Sequence, residues 1–511
     1  MQWLADGKQM REIDRRAIED FGVPGQNLME AAVAFAARIA ADLSPRGPVA
    51  VVTGAGNNGG DGWGIARHLA ARSYQVKVVT GADPDDLQGD AAIQYMIYDS
   101  LGLAWEKYQG PGQLADCALI VDALLGTGMK GEPRGTAAEI IAAINSSPGA
   151  VLAVDIPSGL PAEFALPAGP VVQATATATF GLAKAGLYTP AGRKAAGRVF
   201  VDPIGLPVSL LQGTDLVLND GPHAAKGLSQ RQLDSHKGNF GHGLLTAGSR
   251  GMSGAAMLAG TAALRSGIGL LTIACPDEIQ PMLAAQVWEA LTLPLPSSAQ
   301  GEFSPEAAAQ VPLGKFSAAA IGPGCRVCPG TRALAGRLLK SDLSLAIDAD
   351  ALNVLAPGIP RREPPTIVSP HPGEMARLLA CTVQEVLADP LGTCRRAARA
   401  WGCVVILKGS TTCISDPAGK AVLNITGTPG LATGGSGDIL TGLILGLLAQ
   451  NTEPFAAACA ASWLLGTASE LAAQETGSAA QLPRDVLAAL PGAVNLLYKQ
   501  SSREYFGKEK I

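Results

Sequence analysis

A chain of 511 residues is too long for one ordinary hydrophobic core, so two or more domains are expected. Hydrophobic residues make up 47% and charged residues 16%, the balance of a well-packed enzyme; the 62 glycines and 35 prolines are spread along the chain, which suits tight strand–helix turns better than disorder. A net charge of −5 offers no basic face for nucleic acid, and no uninterrupted apolar run reaches the roughly 18–20 residues of a membrane span.

The opening Met1-Gln2-Trp3-Leu4-Ala5-Asp6 has no basic region followed by an apolar stretch, so no signal peptide is expected. Apolar runs at 49–53, 75–79, 118–122 and 150–155 then read as buried strands, with helical stretches such as 61–71 and 135–145 between them. A break falls near 203–225, where Pro203-Ile204-Gly205-Leu206-Pro207 and Asn219-Asp220-Gly221-Pro222 flank a polar stretch. The rhythm restarts with strands at 243–248, 269–274, 318–322, 345–348, 366–369 and 404–408. The expected class is therefore α/β, with domains at 1–215 and 216–511, each a parallel sheet covered by helices on both faces. Ligands in such folds bind beyond the carboxyl ends of the strands. The nine cysteines are scattered, with CxxC spacing only at Cys325 and Cys328 and no histidine or second pair to complete a zinc set. They read as small apolar core residues of a cytoplasmic protein.

The sharpest motif of the first half is Gly54-Ala55-Gly56-Asn57-Asn58-Gly59-Gly60-Asp61-Gly62, between a strand and a helix. Its glycines allow close backbone approach, and the helix N-terminus that follows favours phosphate. It has neither the GxGxxG order of a dinucleotide fingerprint nor the lysine of a Walker loop. Two further strand ends carry carboxylates, in Val121-Asp122-Ala123-Leu124-Leu125-Gly126-Thr127-Gly128 and Val154-Asp155-Ile156-Pro157-Ser158-Gly159. Parallel neighbours would bring Asn58, Asp122, Asp155 and Ser158 to one rim; turn-capping is the plainer role for the two aspartates.

These three motifs, in this order and with Met10-Arg11-Glu12-Ile13-Asp14 and Leu28-Met29-Glu30, resemble the amino-terminal domain of the YjeF family, the NAD(P)H-hydrate epimerases, over roughly 8–207. The resemblance implies a Rossmann-like three-layer αβα domain in which Asn58, Asp122 and Ser158 help bind potassium. It implies substrate contacts from Asn57, Asn58, Gly59, Gly60, Asp61, from Gly126, Thr127, Gly128, Met129, Lys130, Gly131, Glu132, and from Asp155. Asp155 is the candidate acid/base for interconverting the two epimers. Ala31 departs from the family, whose members usually carry asparagine there.

The second half carries His236-Lys237-Gly238-Asn239-Phe240-Gly241, a glycine turn opening a helix at 248–256, Gly322-Pro323-Gly324, Asp348-Ala349-Asp350-Ala351-Leu352-Asn353 and Ser369-Pro370-His371-Pro372-Gly373-Glu374. Leu407-Lys408-Gly409-Ser410-Thr411-Thr412 and Gly434-Gly435-Ser436-Gly437-Asp438 follow. The last of these feeds an apolar helix, so free N–H groups gather at a positive helix end beside a carboxylate. Asp438 reads either as a helix cap or as a general base for phosphoryl transfer to a hydroxyl.

This order resembles the carboxy-terminal YjeF domain, a ribokinase-like αβα fold acting as ADP- or ATP-dependent NAD(P)H-hydrate dehydratase, over roughly 225–500. The resemblance implies adenine-nucleotide contacts from Lys408, Gly409, Ser410, Thr411, Thr412 and Gly437. It implies contacts to the hydrate from Ala255, Gly324, His371 and Asp438, with magnesium on the phosphates and ADP as co-substrate. Asp438 is the catalytic candidate. Thr428 stands where relatives commonly carry asparagine. NAD(P)H hydrates and an adenine nucleotide are the expected partners, with no nucleic acid, no membrane and a homo-oligomeric state. The alternative reading is a small-molecule kinase of ribokinase type whose amino-terminal half is a regulatory nucleotide-binding module.

Overall fold

The structure, a computed structural model, describes residues 2–44, 47–129 and 131–506, with side chains to residue 500. The chain divides into two compact units, Gln2–Thr214 and a second from Asp215 onward.

The first unit contains β1 (Gln2–Ala5), β2 (Val49–Thr53), β3 (Val76–Thr80), β4 (Trp105–Lys107), β5 (Leu119–Ala123), β6 (Ala150–Val154), β7 (Ala176–Phe180), β8 (Ala183–Lys184) and β9 (Arg198–Asp202). Seven of them form a parallel sheet in the order β4-β3-β2-β5-β6-β7-β9. Alternate side chains of each strand serve opposite faces. Val49 and Val51 join one apolar cluster with helices Gly25–Leu43 and Asn57–Ala70, while Ala50 and Val52 join another with helix Thr136–Ser146. This is the expected three-layer αβα arrangement. The strand order reverses between β2 and β5, so the crevice beyond their carboxyl ends is the place for a ligand.

The second unit contains β10 (Leu216–Leu218), β11 (His242–Thr246), β12 (Leu270–Pro276), β13 (Leu291–Leu295), β14 (Ala318–Ile321), β15 (Ser344–Ile347), β16 (Thr366–Val368), β17 (Val404–Leu407), β18 (Thr412–Ser415) and β19 (Ala421–Asn424). Their order is β13-β12-β11-β14-β15-β16-β17-β18-β19-β10. The expectation of a wholly parallel sheet fails here: β18 runs antiparallel to both β17 and β19. The turn at 408–411 is far too short for a crossover helix, so the chain can only fold back as a hairpin. The sheet is a mixed, ribokinase-like αβα sandwich whose order reverses about β11.

Helix Ser436–Ala449 is buried at every position except Gly437 and Asp438. It lies so close to helix Ser253–Arg265 that a Cβ on Gly442 would collide with the Ala259 carbonyl oxygen. Helix Pro454–Thr476 has the length and composition to cross a membrane, but 72% of its apolar window is buried within the protein, as in a core helix. All nine cysteines are free, eight of them buried.

Candidate active sites at the strand ends

In the first unit the rim assembles much as the motifs imply. The Asp122 carboxylate, near the end of β5, accepts from the Ser158 N–H at 2.8 Å, the Ser158 hydroxyl at 2.6 Å and the Leu124 N–H at 3.3 Å. Burial pushes the Asp122 acid up to about 6 against these stabilising bonds. Asn57, Asn58, Gly59, Gly60 and Asp61 do not form a loop: they are the first turn of helix Asn57–Ala70, which starts four residues before the expected 61. Gly59 permits this, because any Cβ there would collide with the Gly54 carbonyl oxygen. Gly126 lies against Asn58, with an added Cβ 3.0 Å from the Asn58 Cβ. Thr127 is held to Arg11 through its carbonyl oxygen at 3.5 Å, and the Met129 N–H donates to the Gly126 carbonyl at 3.2 Å. Gly128 and Gly131 have open space around them, and Glu132 pairs with Arg134 at 2.7 Å. Lys130 lies outside the described residues.

The side-chain oxygen and nitrogen of Asn58 are both buried without a hydrogen-bond partner. Buried polar atoms are nearly always satisfied, so an orphaned amide beside a carboxylate and a hydroxyl calls for a ligand. Hard oxygens of this kind fit potassium. Asn58 and Asp122 would contribute the oxygens; Ser158 is already committed to Asp122 and to Leu125, whose N–H donates to it at 2.8 Å.

Asp155 follows β6 with φ of +65°, a conformation that costs a non-glycine residue roughly 1–3 kcal/mol. Its Oδ1 accepts from the Lys184 ammonium, the Thr179 hydroxyl at 3.2 Å and the Phe180 N–H at 3.3 Å. Lys184 is 1% exposed and also donates to the Phe180 carbonyl at 2.8 Å. Asp14 and Asp61 feel the same charges. Burial first, then the Asp155 charge, push Asp61 well above the usual carboxylate range, partly countered by Lys184. Asp14 rises to about 6, mainly by burial. Three carboxyl groups therefore share one ammonium, and burial favours the proton-bound form of Asp61 and Asp14. Sequence reasoning missed Lys184 and Asp14. A lysine in the apolar run 176–187 was the available signal.

In the second unit, Asp438 is the third residue of helix Ser436–Ala449, and Gly435, at φ +108°, is the N-cap. The helix-cap reading of Asp438 is thus set aside, since Gly435 and not Asp438 holds the N-cap position. Burial pushes Asp438 up to about 6; Asp348 and Asp350 add to the rise, and Lys408 opposes it. Lys408, after β17, pairs with Asp348 at 2.8 Å and stands 3.7 Å from Glu374. Burial pulls its pKa down, but Asp348 and Glu374 outweigh this and hold it above the ordinary lysine value. An added Cβ on Gly437 would lie 3.5 Å from the Lys408 ammonium. Gly324 lies against Ala255 at 3.0 Å by the same measure. The predicted residues therefore meet in two pairs, Lys408 with Gly437 and Gly324 with Ala255.

His371 takes a quieter place. It is the N-cap of helix Pro372–Leu379, its Nδ1 accepting from the Gly373 N–H at 3.0 Å, and its ring is half exposed. Its return partner in the capping box is Glu374. Gly409, Ser410 and Thr411 form the hairpin turn, and Thr412 begins β18. Thr428 donates or accepts at 2.8 Å with Ser469 and bonds Gln481 at 3.1 Å, so its hydroxyl clamps the turn ahead of the glycine loop. Sequence reasoning missed Asp348, Glu374 and Thr441 as site residues, although the first two lay in quoted motifs. The Ser436 hydroxyl is buried without a partner at the helix end, as a phosphate-facing donor would be. Among the described residues no three His, Cys, Asp or Glu side chains are grouped to hold a metal. Magnesium fits the carboxylate surplus only with nucleotide phosphate oxygens completing its shell.

Comparison with known proteins matches both halves. The family described as NAD(P)H-hydrate dehydratase fits residues 244–491, and that described as YjeF-related protein N-terminus fits residues 25–186. The chain is 39% identical to the bifunctional NAD(P)H-hydrate repair enzyme Nnr of Moorella thermoacetica, over 96% of both chains. It is 32% identical to that of Escherichia coli, over 96% of this chain and 94% of the other. An ADP/ATP-dependent NAD(P)H-hydrate dehydratase from Bacillus subtilis, co-crystallised with ATP/Mg2+, superimposes with a TM-score of 0.51 and 34% identity, covering 56% of this chain and all of that one. Two matched domains in sequence order and coverage of nearly the whole length leave one conclusion: the chain belongs to the family of bifunctional NAD(P)H-hydrate repair enzymes.

Proposed function

We propose that the chain restores hydrated NADH and NADPH. The first unit interconverts the R and S epimers of the hydrate, and the second dehydrates the S epimer at the expense of ADP, releasing AMP and phosphate. The observation that carries this reading is Asp438: a carboxylate with its pKa raised to about 6, set in the first turn of a glycine-fed helix. A carboxylate beside a phosphate is repelled unless it has a proton to take.

Asp438 accepts the proton of the ring hydroxyl as that oxygen bonds to the terminal phosphorus of ADP and AMP leaves. The amides of Gly435, Ser436 and Gly437, with the Lys408 ammonium, hold the phosphoryl charge. The lone pair of the ring nitrogen then expels phosphate, and loss of a neighbouring ring proton restores the reduced nicotinamide. Magnesium, when bound, neutralises phosphate charge. Ala255 and Gly324 leave room for the hydrate beside Asp438, and the turn of Gly409, Ser410, Thr411 and Thr412 would receive the nucleotide. In the first unit, Asp155 takes the proton of the ring hydroxyl as the adjacent ring C–N bond opens to an aldehyde, and returns it when the nitrogen adds back to the other face, with Lys184 holding the Asp155 carboxylate in place. Asn57, Gly59, Gly60 and Asp61, with the loop from Gly126 to Glu132, would border the nucleotide. Potassium, held by Asn58 and Asp122 with Ser158 fixing the Asp122 carboxylate, would supply a fixed positive charge.

ADP is the proposed donor, a homo-oligomer the proposed state, and a reducing cytoplasm the compartment that suits nine free thiols. The kinase alternative is not retained, because relatives matched over nearly their whole length are named bifunctional NAD(P)H-hydrate repair enzymes. The test is incubation of mixed hydrated NADH epimers with ADP or ATP and magnesium, following absorbance of the reduced nicotinamide. Full recovery is expected; no recovery with either nucleotide overturns the reading.

A further inference from the structure

Asp348 is 1% exposed and stands at the N-cap of helix Ala349–Leu355, yet its side chain makes no capping bond there. Both carboxylate oxygens reach elsewhere. Oδ1 takes the Lys408 ammonium at 2.8 Å, and Oδ2 takes the Thr441 hydroxyl at 2.8 Å. Thr441 lies one turn beyond Asp438 on the same helix, and its hydroxyl also stands 3.1 Å from the Gly437 carbonyl. A Cβ on Gly437 would lie 3.6 Å from Asp348 Oδ2, so the carboxylate sits directly under the first helical turn. The following residue, Ala349, takes φ of +48°, a strained backbone that delivers the carboxylate inward instead of to its own helix.

A buried carboxylate under a helix that carries a second carboxylate is an electrostatic cost, and an apolar residue would avoid it. We propose that Asp348 is a positioning residue for the dehydration: by bridging Lys408 and Thr441 it fixes the phosphate-binding ammonium against the turn that carries Asp438, and its charge keeps Asp438 a competent base. This rests on the dehydratase reading given above. The charged or titratable groups acting on Asp438 are Asp348, Asp350 and Lys408, and the buried Cys325 thiol faces it from the loop after β14. Among the described residues, helix Pro483–Phe506 also packs on this helix and carries Arg484 and Asp485 next to Pro483, which a Cβ on Gly435 would meet at 3.0 Å. Helix Ser253–Arg265 has its one charge at the far end, β14 and β15 have none, the only titratable group of β11 is His242 at its start, and helix Pro454–Thr476 carries Glu470 and Glu475 near its last turns.

The test uses the full-length protein with hydrated NADH, ADP and magnesium, comparing the wild type with Asp348→Asn, Thr441→Val and Thr441→Ser. Asp348→Asn keeps the shape and removes the charge, so the acid limb of kcat/KM moves to lower pH by about half a unit or more. Thr441→Val leaves Lys408 paired with Asp348, so kcat falls about tenfold while the KM for ADP stays within about twofold, and Thr441→Ser restores kcat. An unmoved acid limb in a folded Asp348→Asn enzyme overturns the inference, because a merely structural residue lowers the rate without moving the limb. Should Asp348→Asn fail to fold, wild-type kinetics in Thr441→Val overturn it instead. A wild type that recovers no reduced nicotinamide overturns the underlying reading and the inference with it; an active wild type isolates the inference.

Discussion

The pKa of Asp438 offers a direct check on its role as base. Burial and two neighbouring carboxylates raise it from 3.8 to about 6, a difference on the order of 3 kcal/mol between its two protonation states. The sign for activity follows: the base works when deprotonated, so the rate falls as pH drops through about 6. At pH 5 a group with that pKa is only about one-tenth ionised, whereas an ordinary aspartate would be more than about nine-tenths ionised. The dehydratase kcat/KM for the hydrate should therefore drop roughly tenfold between pH 7 and pH 5. The assay is recovery of reduced nicotinamide at saturating ADP and magnesium, in buffers of constant ionic strength. A loss smaller than about twofold by pH 5 would refute both the raised pKa and the reasoning that burial sets it. For stability the same shift has the opposite consequence. The folded state favours neutral Asp438, so this contribution is complete below pH 3.8 and is lost as pH rises through about 6.

Lys184→Met leaves Asp155 without its buried ammonium. Epimerisation should fall by about 100-fold or more while dehydration of the S epimer continues, so recovery from mixed epimers stalls with the R form left over. Retained epimerisation would remove Lys184 from the site. Asn58→Val deletes the orphaned amide, and stimulation of the epimerase by potassium over lithium should disappear; persistence of that stimulation would place the cation elsewhere. Gly442→Ala forces a methyl group against the Ala259 carbonyl and should cost about 1–3 kcal/mol in urea unfolding of the second unit, with an unchanged midpoint as the contrary result.

Periodicity located β2, β3, β5, β6, β11, β12, β14, β15, β16 and β17 to within a residue or two, because strands buried on both faces must be almost wholly apolar. It did not find β1, β4, β7, β8, β9, β10, β13, β18 or β19. These are short, half-polar or interrupted, as Pro294 interrupts the edge strand β13, and nothing local separates them from loops. The antiparallel β18 was invisible for the same reason: strand direction is set by the length of the connection and by the neighbours available, not by the strand's own residues.

The sequence by itself determined the α/β class, the two glycine-rich turns that end in helices, the carboxylates Asp122 and Asp155 at strand ends, and Asp438 in the first turn of a helix. These are local properties, since backbone freedom, helix dipole and alternation are written within a few residues. Only the tertiary structure decided which charges meet. Lys184 is 29 residues from Asp155, and Lys408 and Thr441 lie 60 and 93 residues from Asp348. The raised pKa values depend on those meetings and on exclusion of water. The resulting base at Asp438, raised acid at Asp61 and unsatisfied amide at Asn58 belong to the packed sheet ends rather than to any one motif.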